Sequence, residues 1–293
     1  MSRYEVTHET KYAYGAPVDL GQHLLRMTPL DRPLQKLIVH TLEMTPKPHN
    51  VGTFLDHFGN GVHYMAVEAP HDSFTVTLKA TVEIKAPPWS EPPAGPAWED
   101  VREAMREDGF PSPTDVAEFI EASPLAATDS AATDYARVSF PEKQPVVTGA
   151  LDLIKRFRTD FEYSPGVTTI STPVAEVMSH RSGVCQDFAH AMISGLRGLG
   201  LPARYVSGYL RTGHALRGAD ASHAWVSLWC GDELGWLDFD PTNNVLCRED
   251  HITIACGRDF SDVTPMRGTI LGGGRHNLSV AVHVEALSDE AAT

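Results

Sequence analysis

An α+β fold, in which an all-β amino-terminal module precedes a core of helices and strands, is predicted by three features of this sequence. Apolar residues recur at every second position as far as Ile84. Five prolines, at positions 87, 88, 92, 93 and 96, crowd the stretch 86–97. Beyond them the apolar spacing becomes helical before alternation returns. The implied division is a β module over residues 1–88 and a core over 89–293, with 86–97 as a stiff connector, because proline neither donates to a ladder nor sits inside a helix. Two units suit 293 residues at roughly 100–200 residues per domain.

Composition narrows the classes of function. With 42% hydrophobic and 21% charged residues the chain can bury a core and is not disordered. A formal net charge of −14 repels polyphosphate and anionic lipid, so no nucleic-acid partner is expected and a neutral or cationic target is favoured. No apolar run approaches the roughly 20 residues of a membrane span, and the first residues lack a signal-peptide profile, so no membrane partner and a cytoplasmic address are expected. Four cysteines, at 185, 230, 247 and 256, form no Cys-x-x-Cys pair and are expected to be free thiols there. The composition is silent on oligomeric state.

In the module, Phe74, Val76, Leu78, Ala80, Val82 and Ile84 alternate with polar residues as in a strand with one buried face. Weaker alternation runs through Tyr4–Tyr14 and Ile38–Met44, and Asn60-Gly61 marks a turn leading to Tyr64 and Ala66. Five or so strands in 85 residues favour a β-sandwich. Its histidines (8, 23, 40, 49, 57 and 63) have no metal-ligand spacing, and the module reads as scaffold or substrate-orienting. In the core, Trp98, Val101 and Met105 begin one helix, Val147 to Phe157 a second, and Thr172-Pro173 caps a third.

The fourth helix carries chemistry. Phe188, Ala189, Met192, Ile193, Leu196 and Leu199 form its apolar stripe, Gly200 and Pro202 stop it, and Ser182 as cap puts Cys185 in its first turn. Free N–H groups and the positive end of the dipole favour a thiolate there, a placement that a purely structural cysteine does not need. Further on, His223–Cys230 and Glu233–Thr242 alternate around Gly231-Asp232. A two-residue turn there makes His223 face Asp240, with Asp238 opposite Trp225 as the alternative carboxylate, and Pro241 ends the ladder. Thiol, imidazole and carboxylate are the parts of a cysteine nucleophile system, although spacing alone does not bring Cys185 to His223.

Three blocks, Gly183-Val184-Cys185-Gln186-Asp187-Phe188, His223-Ala224-Trp225-Val226 and Gly235-Trp236-Leu237-Asp238-Phe239-Asp240-Pro241-Thr242-Asn243, resemble the signatures of the transglutaminase-like superfamily. The amino-terminal module and the tail Asp262–Gly268 with its glycine run resemble the bacterial branch. The resemblance implies a papain-like core in which a central helix carries Cys185 as nucleophile against an antiparallel sheet carrying His223 as base and Asp240 as orienting acid. It also implies acyl transfer from a peptide or protein amide through a thioester, without a cofactor or metal. Animal relatives use an upstream indole as an oxyanion donor, and no tryptophan lies between 98 and 185. Tyr163 is the candidate substitute, and the missing indole favours hydrolysis, as in a cysteine protease or amidohydrolase, over transamidation. A scaffold that has kept the fold is the third reading, opposed by the intact Cys, His and Asp.

Gln186 and Asp187 beside the thiol, and Trp225 on the histidine strand, are candidate oxyanion or substrate contacts, with bonding the helix start the expected role of Asp187. His214 and Asp220 lie before His223, where substrate could reach them. Cys230, Cys247 and Cys256 read as core. Zinc at Cys185, His190, His223 and Asp240 is disfavoured because positions five apart face different ways on a helix, and no EF-type calcium loop occurs. Gly272–Gly274, before the alternating Leu278–Val284, reads as a turn.

Overall fold

The structure is a computed structural model that describes residues 1–105, 114–213, 216–218 and 221–287. Its first strand, β1 (Ser2–Leu25), runs 24 residues and organises the β module. β2 (Gln35–Thr45), β3 (Asn50–Leu55), β4 (Gly61–Val67) and β5 (His71–Ile84) follow. Tyr4, Val6, Phe74, Val76, Leu78 and Val82 fill the interior, as the period of two predicts.

β1 bends after Ala13, where its register against β5 jumps to Val18 across Gly15-Ala16-Pro17. The segment before the bend pairs with β5, and the segment after it pairs with β4. The two halves therefore lie in different layers, and His23 stacks on Phe74 between them at 4.9 Å. The module is thus a sandwich whose layers share one strand, rather than two independent sheets.

The core begins after a connector that forms no helix or strand over 86–96. α1 (Trp98–Ala104), α2 (Thr114–Ala117), α3 (Ser130–Arg137) and α4 (Val146–Asp160) come first. Pro145 cannot cap α4 with a side chain, and the connector does so instead: Pro96 and Ala94 carbonyls accept from Val146 and Val147. Then come β6 (Glu162–Tyr163), α5 (Val174–His180), β7 (Ser182–Gly183) and α6 (Cys185–Gly198). α5 starts one residue later than Thr172-Pro173 predicts, with Pro173 itself at the cap.

β8 (Ala203–Leu210), β9 (His223–Trp229), β10 (Trp236–Asp240), β11 (Val245–Leu246) and β12 (His251–Gly257) form an antiparallel sheet in the order β11-β10-β9-β8-β12. α6, buried along Phe188, Ala189, Met192, Ile193 and Leu196, shares one core with Ala224, Val226, Leu228 and Phe239. Trp225 points the other way and packs with Val206 and Cys256.

After α7 (Phe260–Val263), the chain returns to the module as β13 (Met266–Gly272) and β14 (His276–Leu287), both paired with β1. The glycine run is the turn between them. Gly272, at φ +97°, lies against the bend of β1, where an added Cβ would meet the Pro17 carbonyl at 2.5 Å. The module's sheet therefore draws on both ends of the chain, whereas a division in sequence order leaves 266–287 with the core.

Module and core are joined by buried polar contacts. Asn60 exchanges hydrogen bonds with the backbone of Cys256, Gln35 with that of Thr253, and His8 meets the Tyr209 hydroxyl at 2.6 Å. Among the described residues no helix is long and apolar enough to cross a membrane.

Candidate active site

α6 starts at Cys185 itself. Its cap is Val184, in extended conformation, and Ser182 belongs to β7 rather than to the cap. Because valine has no acceptor, the helix start is held from inside: Asp187 accepts the Val184 N–H at 2.7 Å and the Thr168 hydroxyl at 2.7 Å. Asp187 is thus a buried brace of the helix end and not a substrate contact. The half-buried thiol stands at the first helical position, where unpaired N–H groups and the dipole favour an anion.

His223 opens β9 and Asp240 closes β10; both side chains are fully buried. The β9–β10 register differs from the predicted one by two residues, since Trp229 faces Trp236 and Ser227 faces Asp238. The connection is longer than a two-residue turn: Cys230 N–H reaches the Gly235 carbonyl and Gly235 N–H reaches Gly231. An even shift keeps every side chain on its face. Asp240 consequently still reaches His223, now diagonally, and accepts from its Nε2 at 2.9 Å. Asp238 is taken by Arg32 of the module, which donates at 2.7 Å.

Asp240 accepts from five donors. Oδ1 receives the N–H groups of Thr242 at 2.9 Å and Asn243 at 3.1 Å. Besides His223, Oδ2 receives Asn243 Nδ2 at 2.7 Å and His251 Nε2 at 3.2 Å. Burial opposes its charge, but His223 and His251 hold the carboxyl well below the usual range.

Burial likewise opposes an imidazolium at His223, yet the Asp240 charge, then the interaction with Cys185, push its pKa up to about 10. With Nε2 committed to Asp240, Nδ1 is the nitrogen left to serve the thiol, and it makes no hydrogen bond. The structure therefore pairs His223 with Asp240 in a buried site and sets the half-buried Cys185 within electrostatic reach of the imidazole.

The remaining candidates divide. Tyr163 pairs with Gly183, two residues before the thiol, and burial followed by the Cys185 charge pushes its hydroxyl up to about 12. Its hydroxyl is therefore neutral and within electrostatic reach of the sulfur. The Gln186 side chain donates to the Ile170 carbonyl at 3.2 Å and ties down the neighbouring loop. Trp225 has no exposed surface and packs 6.2 Å from the His223 ring and 5.2 Å from the His251 ring, so it backs the relay instead of touching substrate.

Cys230 and Cys256 are buried, Cys247 is half-buried, and burial pushes the thiols of Cys230 and Cys247 up. His190 accepts from the Phe260 N–H at 3.2 Å, away from Cys185. His214 and Asp220 lie outside the described residues. Two partners of Asp240 escaped the sequence reading. Asn243 sits inside a quoted block, directly after Pro-Thr. His251 carries no local signal at all, being the first residue of an otherwise ordinary strand.

Residues 4–83 match the family model for the bacterial transglutaminase-like N-terminal region, and residues 135–241, which include all three relay residues, match that for the transglutaminase-like superfamily. An uncharacterised protein of Mycobacterium tuberculosis (strain H37Rv) is 39% identical over 298 residues, covering 99% of this chain and 94% of that protein. A protein-glutamine gamma-glutamyltransferase of Pseudomonas aeruginosa is 32% identical over 123 residues, 39% of this chain and 18% of that protein. The crystal structure of a candidate cysteine protease from Cytophaga hutchinsonii superposes with a TM-score of 0.77 at 21% identity, over 99% of this chain and 92% of that one.

Proposed function

This chain belongs to the bacterial transglutaminase-like superfamily, and from that premise we propose that it is a cysteine-nucleophile enzyme that cleaves the amide bond of a peptide or protein through a thioester. The observation that carries this reading is the shared imidazole, bonded to Asp240 on one nitrogen and interacting with the Cys185 thiol.

In this reading the Cys185 sulfur attacks the amide carbonyl, and the S–C bond forms as the π electrons move to oxygen. His223 then gives its Nδ1 proton to the leaving nitrogen as the C–N bond breaks. Water, deprotonated by the same nitrogen, attacks the thioester and returns the thiol. The Cys185 backbone N–H serves the oxyanion, a donor worth about 3 kcal/mol in comparable sites. The Tyr163 hydroxyl is the second donor. Asp240, charged throughout, keeps the imidazole oriented and stabilises its cation.

An acceptor amine in place of water would make the same thioester a cross-linking intermediate. The Pseudomonas aeruginosa relative, named as a glutamyltransferase, is the observation that favours this second reading. Iodoacetamide at neutral pH tests the nucleophile: fast labelling of Cys185 over the other three thiols, slowed by His223→Ala, is expected. Uniform slow labelling of all four would leave only a scaffold. Glutamine peptides with a labelled amine then separate the reactions, hydrolysis releasing ammonia without incorporating amine.

A further inference from the structure

Between β8 and β9 the residues 216–218 bring a cation close to this site, fastened through Asn243, a partner of Asp240. Arg217 donates its N–H to Asn243 Oδ1 at 2.8 Å, and its carbonyl accepts from Asn243 Nδ2 at 3.2 Å. The same Asn243 nitrogen donates to Asp240 at 2.7 Å. The next residue, Gly218, has φ +89° and lies over the His223 ring, where an added Cβ would come within 2.5 Å of Nδ1. Residue 217 is therefore pinned on one side to the partner of the acid and on the other against the imidazole. Its backbone is thus fixed beside His223, and its side chain extends toward Tyr163.

The guanidinium lies 5.7 Å from the centre of the Tyr163 ring. Tyr163 in turn lies in the field of the Cys185 sulfur. Arg217 is exposed, and among the described residues its guanidinium makes no hydrogen bond or ion pair. Among the described residues, the two carboxylates of the site are already used. Asp187 is buried on Val184 and Thr168, and Asp240 is buried on its five donors. A chain of net charge −14 thus holds, beside Tyr163, a planar, permanently charged donor set with no ion pair among the described residues and with the fork geometry that suits a carboxylate.

We propose that Arg217 selects acyl donors bearing a carboxylate next to the reacting amide, such as an acidic peptide or one whose free terminal carboxylate flanks the bond. This rests on the reading of Cys185 as nucleophile and adds the substrate class, reversing locally the preference for neutral or cationic targets that net charge implies. The guanidinium binds the carboxylate and so sets the carbonyl over the sulfur, near the Tyr163 hydroxyl. Acidic donors should show a lower KM than the same compounds with that carboxylate amidated.

Iodoacetate and iodoacetamide, which differ by one charge and share one leaving group, test this on the full chain by following Cys185 alkylation at low ionic strength. The ratio of the two rates cancels any general change in thiol reactivity. Arg217→Gln should lower the iodoacetate-to-iodoacetamide ratio about fivefold, as for a partly exposed ion pair, and Arg217→Lys should keep most of it. Added salt should bring the wild-type ratio down toward that of Arg217→Gln. A ratio that shifts less than about twofold in Arg217→Gln, or that responds to salt equally in both proteins, overturns the proposal. The iodoacetamide rate alone reports on the nucleophile. Loss of its preference for Cys185 would count against the enzyme reading, while the ratio at Cys185 would still report on Arg217.

Discussion

Asp238 and Asp240 stand two residues apart on the same face of β10, both largely shielded from solvent, and they have opposite employments. Asp240, at the tip, holds His223 and is held by His251 and Asn243. Asp238, one step inward, holds Arg32 and so ties the β module to the core. The strand supplies two equivalent positions, and the partner delivered to each decides what it does. At the tip the sheet delivers an imidazole. In the middle another module delivers a guanidinium. Changes at the two positions should therefore fail differently, one in rate and the other in stability.

The largest effect is expected at the head of the relay. Cys185→Ala should abolish amide turnover and leave the melting temperature nearly unchanged, because the side chain is small and only half-buried. Residual turnover above background would remove the sulfur from the mechanism. Next comes Asp240→Asn, which keeps the shape but leaves His223 without a charge to stabilise its cation. Loss of the orienting acid in comparable relays costs on the order of 10³–10⁴ in rate. Asp238→Asn should change the rate by no more than about threefold, because its partner is Arg32 and not the imidazole. The reverse order would assign the acid's role to Asp238.

A pH profile sharpens the same contrast. The His223 pKa is raised, so its imidazolium and the stability that comes with it are fully present below the free-imidazole value and are lost as pH rises through about 10. The upper limb of turnover, which needs the protonated imidazole, should therefore fall near pH 10. In Asp240→Asn it should move down toward the ordinary histidine range, whereas Asp238→Asn should leave it in place.

Much of this was legible in the residues because it rests on local rules. Alternation placed β5, the 3.6-residue stripe placed α6, and Pro241 marked the end of β10. Even the mistaken hairpin register preserved the pairing of His223 with Asp240, since a shift of two conserves faces. What sequence reasoning missed is non-local. Arg32 and Asp238 are 206 residues apart, β14 returns from the far end of the chain to β1, and His251 reaches Asp240 from β12 across the sheet. No periodicity or motif encodes such meetings. Asn243 lies between these cases: its position in the tail block was visible, but its double role depends on where the Arg217 loop comes to rest.

The stability half of the contrast has its own sign. Burial opposes the Asp238 charge, but Arg32 and then Arg204 hold its carboxyl below the usual value. The contribution is complete above the unfolded carboxylate pKa of about 4 and disappears as pH falls through the lowered folded value. Asp238→Asn leaves the Arg32 cation unpaired at a site only partly open to water. At neutral pH it should cost about 2 kcal/mol, or on the order of 4–8 °C in melting temperature. The gap to wild type should narrow on acidification below about pH 4, where wild type loses the same pair. A gap independent of pH would mean that the pair does not join module to core.

The smallest expected effect separates the donors that crowd Asp240. His251 gives one of five hydrogen bonds, at 3.2 Å the longest of them, and its bond and charge both help to lower the Asp240 pKa. Removing it in His251→Phe makes the carboxylate slightly more basic, and a more basic carboxylate holds the His223 proton more tightly. The upper limb of the pH profile should then shift upward, opposite in sign to Asp240→Asn, with the rate at neutral pH changed by about fivefold or less, the effect of one hydrogen bond among several. A downward shift would instead mean that His251 acts by placing Asp240 against His223, so that losing it loosens the pair.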